Sequence, residues 1–211
     1  SILDMVDMIE TILPRPATEA QAPAPATAIR STLATVAQKA AAESGKKVNL
    51  TFTDAGIAAT PAYRRLNGQL EEILVQLVSN AVVHGIEPPQ VRVERRKAEA
   101  GTISIAGVDT GAGIEITVRD DGAGFDVGRI RQRARALGKT LPDDADERAV
   151  LPLVFEHGFS TASDPSLSAG RGVGLHYVLE TVRKQGGRLN FGQTPGAGAQ
   201  FVLTFPNAPA A

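Results

Sequence analysis

The sequence predicts an α+β protein, a two-layer α/β sandwich in which helices cover one face of a single mixed, mostly antiparallel sheet. Three observations lead there. Five short segments alternate with period two or are rich in β-branched residues, four longer ones carry apolar residues at helical spacing, and Gly-rich turns join neighbouring strands into hairpins. A doubly wound parallel sheet would require strand and helix to alternate throughout.

Ser1 to Leu13 places Ile2, Leu3, Met5, Val6, Ile9, Ile12 and Leu13 at helical spacing, an amphipathic helix without a core of its own. Pro14 to Ala28 follows with four of the chain's 13 prolines among Ala, Thr and Gln, and reads as a linker. Ile29, Leu33, Val36 and Ala40 then stripe a helix running from Ile29 to about Ser44. The main domain extends from Gly45 to Asn207, with a short tail from Ala208. Its strands are Val48 to Thr53, Thr102 to Ala106, Ile114 to Arg119, Arg188 to Gly192 and Gln200 to Phe205, with turns at Asp109 to Gly113 and Thr194 to Gly198. Helices are expected at Gly68 to His84, Asp126 to Leu137, Glu147 to Phe155 and Gly172 to Gln185. Gly138 to Gly170 holds one helix among many loop formers, as in a functional lid.

Composition narrows the chemistry. Lys+Arg number 22 against 23 Asp+Glu, which leaves no general pull toward nucleic acid or an anionic membrane. Cys is absent, so disulfides, thiolate zinc and thiol catalysis are excluded, and His84, His157 and His176 are too few for a histidine-rich cage. Any metal is expected on oxygen ligands. With no apolar run of the roughly 18 residues that span a bilayer and no basic signal segment, the expected location is cytoplasmic. A start without Met suggests a piece of a longer chain. The basic clusters Arg92, Arg95, Arg96, Lys97 and Arg129, Arg131, Arg133, Arg135 read as solvated helix surface.

One constellation carries chemistry. Beside the apolar stripe Leu70, Ile73, Leu74, Leu77, Val78 and Ala81 runs a polar one, Gln76, Asn80 and His84, four residues apart. The strand from Ile114 runs into Asp120-Asp-Gly-Ala-Gly124, where an acid before two glycines turns the backbone and lets a flat ligand approach the carboxylate. An ordinary Asp-Gly turn has the same residues. Finally Gly170-Arg-Gly-Val-Gly174 opens a helix whose unpaired N–H groups suit phosphate oxygens, although no strand precedes it as in a dinucleotide fingerprint.

In this order, together with Asn80-Ala-Val-Val-His84-Gly-Ile-Glu87 and Phe155-Glu-His-Gly-Phe159-Ser-Thr161, these motifs resemble the ATP-binding catalytic domain of CheA-type chemotaxis sensor histidine kinases. That domain belongs to the gyrase, Hsp90, histidine kinase and MutL superfamily, and the resemblance implies its Bergerat-type fold over roughly Gly45 to Pro206. It implies ATP and Mg²⁺ as ligands, with Asn80 on the metal, Asp120 accepting the adenine amino group, and Gly122 and Gly124 making room for the base. It also implies His84 near the phosphates, Phe155 and Phe159 flanking an ATP lid, and Gly170, Arg171, Gly172 and Gly174 at the phosphates. The γ-phosphoryl would pass to a histidine on a separate phosphotransfer domain and then to a response regulator; a homodimer would follow from the family's paired helices.

The sequence departs from that pattern at the base position, where the family carries His or Glu and this chain has Gln76. An amide cannot accept the acceptor's proton, and such a base contributes about 10²- to 10⁴-fold in rate. Glu72 lies one turn away, about 6 Å along the helix. Val83 and Ser79 replace charged family residues, and Ala199 replaces a common Thr. The expected activity is a protein-histidine kinase, impaired at Gln76, with a catalytically silent nucleotide-binding regulator as the alternative. A serine kinase anti-sigma factor fits less well with His84-Gly85-Ile86-Glu87, and an ATPase of the gyrase or Hsp90 kind lacks its transducer domain.

Overall fold

A computed structural model describes residues 25–66, 68–140, 147–156, 159, 174–194 and 196–208. The N-terminal segment 1–13, most of the linker, His157, and Gly170, Arg171 and Gly172 lie outside the described residues. The first helix, α1 (Pro25–Glu43), begins four residues earlier than its apolar stripe announces. Proline suits a first helical turn because the N–H it lacks would have no partner there. The buried line is Ile29, Leu33, Ala37 and Ala41, with Val36 and Ala40 at its margin. Small alanines at the centre let this helix lie against the elements described next.

Strand β1 (Val48–Ala55) is followed by a 3₁₀ turn (Ile57–Ala59), α2 (Pro61–Leu66), α3 (Gln69–Asn80), a π-helical turn (Ala81–Gly85) and α4 (Pro89–Glu94). The hairpin β2 (Gly101–Asp109) and β3 (Gly113–Asp120) comes next, then α5 (Val127–Ala136), α6 (Glu147–Val150) and a 3₁₀ turn (Leu151–Phe155). Helix α7 (Leu175–Lys184) leads into the hairpin β4 (Arg188–Thr194) and β5 (Gly198–Pro206). The five expected strands are all present. Two short helices, α2 and α4, are additional, since six residues show too little periodicity to be read.

The sheet order is β1-β2-β3-β5-β4, with β1 parallel to β2 and every other pair antiparallel. Its alternation explains the two layers. Ile103, Ile105, Ile114, Ile116, Val118, Phe201, Leu203 and Phe205 are buried, while Thr51, Thr102, Arg119 and Gln200 on the opposite face are exposed. Against the buried face α3 presents Leu70, Ile73, Leu74, Leu77 and Val78, all 2% exposed or less. At about 25 cal/mol per Å² of apolar area, this shared core is the main stabiliser of the domain. Placing β3 in the centre carries its last residue, Asp120, into the protected layer beneath the helices.

Candidate functional site

Asp120 is 5% exposed. Its Oδ1 accepts hydrogen bonds from the Gly122 N–H at 2.9 Å and the Ala199 N–H at 3.4 Å. Oδ2 has no hydrogen-bond partner among the described residues. Burial pushes the Asp120 carboxyl above its ordinary value; the bonds from Gly122 and Ala199 oppose this, and the charges of Asp121 and Glu87 add to it. With Oδ1 engaged by the backbone, Oδ2 is the oxygen left to accept from a further donor.

The loop after Asp120 is built to come close to the end of α3. The Ala123 N–H donates to the Gly85 carbonyl at 2.9 Å, and a Cβ on Gly122 would sit 2.1 Å from that same oxygen. No side chain fits at position 122. Gly124 has φ +79°, and a Cβ there would meet Gln193 Oε1 at 2.7 Å, so its role is turning and packing as well as clearance. The motif-bearing segments, more than thirty residues apart in sequence, therefore meet through backbone atoms.

The polar stripe of α3 is not continuous to His84. The α-helix ends at Asn80 and loosens into the π-turn, closed by the Ile86 N–H on the Ala81 carbonyl at 2.7 Å. The expected helix of Gly68 to His84 is corrected here. Widening the turn brings Gly85 to the Asp120 loop, which a straight helix would carry past it. It also frees the carbonyls of Val82 and Val83, and Lys46 Nζ donates to both, at 2.8 and 2.6 Å. Burial lowers the Lys46 pKa, with Glu87 opposing. His84 keeps solvent contact, yet crowding by surrounding protein, then Lys46 and Arg129, holds its pKa below the ordinary imidazole value.

Gln76 and Asn80 are half-buried. Asn80 Nδ2 is buried without a hydrogen-bond partner among the described residues. An amide rotated by half a turn exchanges oxygen for nitrogen at that spot, so the side chain can offer oxygen to a hard cation. Among the described residues no group of three or more His, Cys, Asp or Glu is placed to hold a metal. The donor set fits a cation carried in on phosphates and held by one protein oxygen, rather than a cation caged by the protein. Glu72, one turn before Gln76, accepts a 2.9 Å hydrogen bond from the Tyr177 hydroxyl of α7.

Phe155 is buried at 5% exposure, with its ring 4.6 Å from that of Phe191; Phe191 and Phe201 both meet Phe125 edge-on. Its place is in the core at the foot of the expected lid, and its carbonyl accepts from His176 Nδ1 at 2.9 Å. Phe159 packs partly buried on the same core. Gly174 stands directly before α7, with open space where a Cβ would be. Gln193 bridges two of these parts, accepting from the Phe125 N–H and donating to Glu147.

The reading of Arg92 and Lys97 as solvated surface is overturned. Arg92 is 1% exposed, pairing with Glu87 at 2.9 Å and Asp121 at 3.0 Å. Lys97 is largely buried and bonds Glu87 and the carbonyls of Asp121 and Gly122. Arg95 and Arg96 do lie on the surface. Position in a charge run could not separate these four. Arg92 differs because α4 is only six residues long and directs it inward, a placement that Glu87, buried in the same motif, could have suggested.

A family model described as histidine kinase-, DNA gyrase B- and HSP90-like ATPase matches residues 65–209, and the chain belongs to that family. Within it the chain is similar to proteins named chemotaxis protein CheA. It is 37% identical over 150 residues to that of Halobacterium salinarum, covering 68% of this chain and 22% of the relative. With that of Klebsiella aerogenes it shares 33% over 161 residues, 76% of this chain and 24% of the relative. The chain thus spans about a quarter or less of the length of these relatives. A mycobacterial sensor histidine kinase, MprB, aligns over 87% of this chain and 95% of its own with a TM-score of 0.49 and 18% identity. Among the described residues no helix is long and apolar enough to cross a membrane.

Proposed function

We propose that this chain is the Mg-ATP-binding catalytic domain of a CheA-like protein-histidine kinase, which passes the γ-phosphoryl group to a histidine on a separate phosphotransfer domain. The observation that carries the reading is Asp120, a buried carboxylate with one oxygen held by two backbone N–H groups and the other left for a donor such as the adenine amine. Asn80 would hold the Mg²⁺, which supplies charge neutralisation at the phosphates. His84 and Arg129 stand nearby as groups able to bind phosphate oxygens. In the transfer the bond from the γ-phosphorus to the β–γ bridging oxygen breaks, a nitrogen–phosphorus bond forms on the acceptor imidazole, and the imidazole proton must leave. A response regulator would take the phosphoryl group next.

Calorimetric titration of ADP and a non-hydrolysable ATP analogue, with and without Mg²⁺, tests the reading. Binding strengthened by Mg²⁺ for the triphosphate is expected; no binding of either nucleotide would defeat it.

One observation favours a second reading, in which the domain binds nucleotide and transfers phosphate slowly or regulates a partner instead. Gln76 stands at the position of the base, and the acid one turn before it, Glu72, is engaged by Tyr177. Gln76→His, assayed with a phosphotransfer domain supplied in trans, is expected to raise transfer by about 10²-fold or more. An unchanged rate would show that this position does not limit transfer.

A further inference from the structure

The Glu87–Arg92–Lys97 cluster lies outside the residues assigned to nucleotide above, yet both of its cations reach the peptide that follows Asp120, with Glu87 joining them. Lys97 Nζ donates to the Asp121 and Gly122 carbonyls, both at 2.8 Å, and to Glu87 Oε1 at 2.9 Å. Arg92 Nη1 reaches Glu87 Oε2 and, at 3.3 Å, the Asp121 carbonyl; Nη2 takes Asp121 Oδ2 at 3.0 Å; Nε donates to the Ala98 carbonyl at 2.7 Å. On its far side Asp121 is tied to β2, its Oδ1 accepting from the Thr102 N–H at 2.9 Å and its N–H donating to the Thr102 carbonyl at 3.1 Å.

We propose that Lys97 and Arg92, joined through Glu87, are positioning residues that clamp the Asp121–Gly122 peptide and thereby set the selection of adenine over guanine nucleotides. The proposal rests on the nucleotide reading above. The physical argument runs through one atom, the Gly122 amide nitrogen. With both carbonyls of the loop held by cations, that amide has one orientation, toward Asp120 Oδ1. Asp120 then cannot rotate, and Oδ2 is presented as a fixed acceptor. An exocyclic amine satisfies it, whereas the oxygen that guanine carries at the same place meets it as a second acceptor and leaves both unpaired. A loose loop would let the carboxylate turn or admit a water, and the penalty on guanine would shrink.

An ionic cluster of this kind could serve stability alone. Two features argue for a positioning role. The cations end on backbone carbonyls of the loop itself rather than only on each other, and the two acids they neutralise are the very charges that act on the Asp120 carboxyl.

The test is calorimetric titration of ADP and GDP into the wild type, Lys97→Met, Lys97→Arg and Asp121→Asn, each checked for cooperative unfolding. Lys97→Met is expected to weaken ADP about tenfold and to reduce the ADP-to-GDP affinity ratio by a similar factor, because GDP gains nothing from the ordered loop. Lys97→Arg, which keeps charge and donors, should restore the ratio. If Lys97→Met does not fold, Asp121→Asn keeps the shape and weakens the Arg92 pair, and a smaller fall in the same ratio is expected. A ratio equal to wild type in the folded variant overturns the clamp while leaving the nucleotide reading intact. Wild type that fails to bind ADP overturns both, and wild type that binds ADP and GDP equally overturns the clamp alone. Amide exchange at Gly122, faster in Lys97→Met than in wild type, gives a second readout that a remote stabilising role would not move selectively.

Discussion

The two ends of the candidate site are built on opposite plans. At the base end, the loop from Asp120 to Ala123 is bonded through nearly every polar atom, to Arg92, Lys97, Thr102, Gly85 and Ala199. At the phosphate end, the π-turn is fastened to the rest of the fold by Lys46, His84 is open to solvent, and Asn80 Nδ2 is buried with no partner among the described residues. The contrast fits the nucleotide reading proposed above. Under it a neutral, flat base would be selected by hydrogen-bond pattern, which needs fixed acceptors, whereas phosphates and a cation would bring strong charge and complete an unfinished set of donors on arrival.

The largest expected effect lies at the fixed end. Asp120→Asn keeps shape, but its oxygen is needed by Gly122 and Ala199, so the amide nitrogen would face another donor. Nucleotide affinity should fall on the order of 10³-fold by calorimetry with little loss of stability. Retained affinity would mean that the base is not read at Asp120 and would remove the contrast between the two ends.

Next is the clamp as a source of stability. Arg92→Met leaves Glu87 buried and deprived of one of its two closest partners, and should destabilise the domain by about 3 to 5 kcal/mol in urea unfolding. Lys97 and Arg95 remain on Glu87, so a value near the lower bound is expected.

Lys46→Met at the open end uncovers two carbonyls and should lower stability by about 1 to 3 kcal/mol. Its removal also takes a positive charge from beside His84, so the His84 pKa, followed by NMR, should rise toward the ordinary value. An unchanged His84 titration would show that the two groups are not coupled.

The smallest effect is a pH dependence within the base end, where Asp120 and Glu87 shift in opposite directions. Asp120 is raised above its ordinary 3.8, so acidification protonates it early and ADP affinity should decline at a pH above that value. Burial pushes Glu87 up, but the Lys97 hydrogen bond and the charges of Lys97 and Arg92 outweigh it and hold the carboxyl below its ordinary 4.5. The shift is therefore opposite to that of Asp120, although both losses come on acidification. The stability that Glu87 contributes is present above 4.5 and is lost as pH falls through the depressed folded value. Titration of ADP affinity and of unfolding midpoint over the same acidic range checks both.

Much of this arrangement is legible in the sequence. The alternation of Ile103, Ile105, Ile114, Ile116 and Val118 marks strands with one buried face, and the stripe of α3 marks what covers them. Asp120, Gly122 and Asn80 can be picked out as candidates because they sit in short, ordered motifs. His84 was read on a straight helical stripe, and the π-turn moved it; nothing in the local spacing announces one extra residue per turn. Phe155 could be recognised by motif, but its burial against Phe191 depends on β4, more than thirty residues further on. The boundary of α1 at Pro25 was hidden because proline-rich composition reads as linker even where a proline begins a helix.

Local sequence sets the strands and the longer helices, the faces they bury and the order of the motifs, since periodicity and turn chemistry act over a few residues. Which of the cations are buried and bonded is set by the tertiary structure. Lys97 and Arg96 are neighbours of similar charge, yet one closes on carbonyls 24 and 25 residues away and the other lies on the surface. That difference arises from the sheet, which carries the end of β3 past α4, and a buried charge is held wherever opposite charge and backbone oxygen converge.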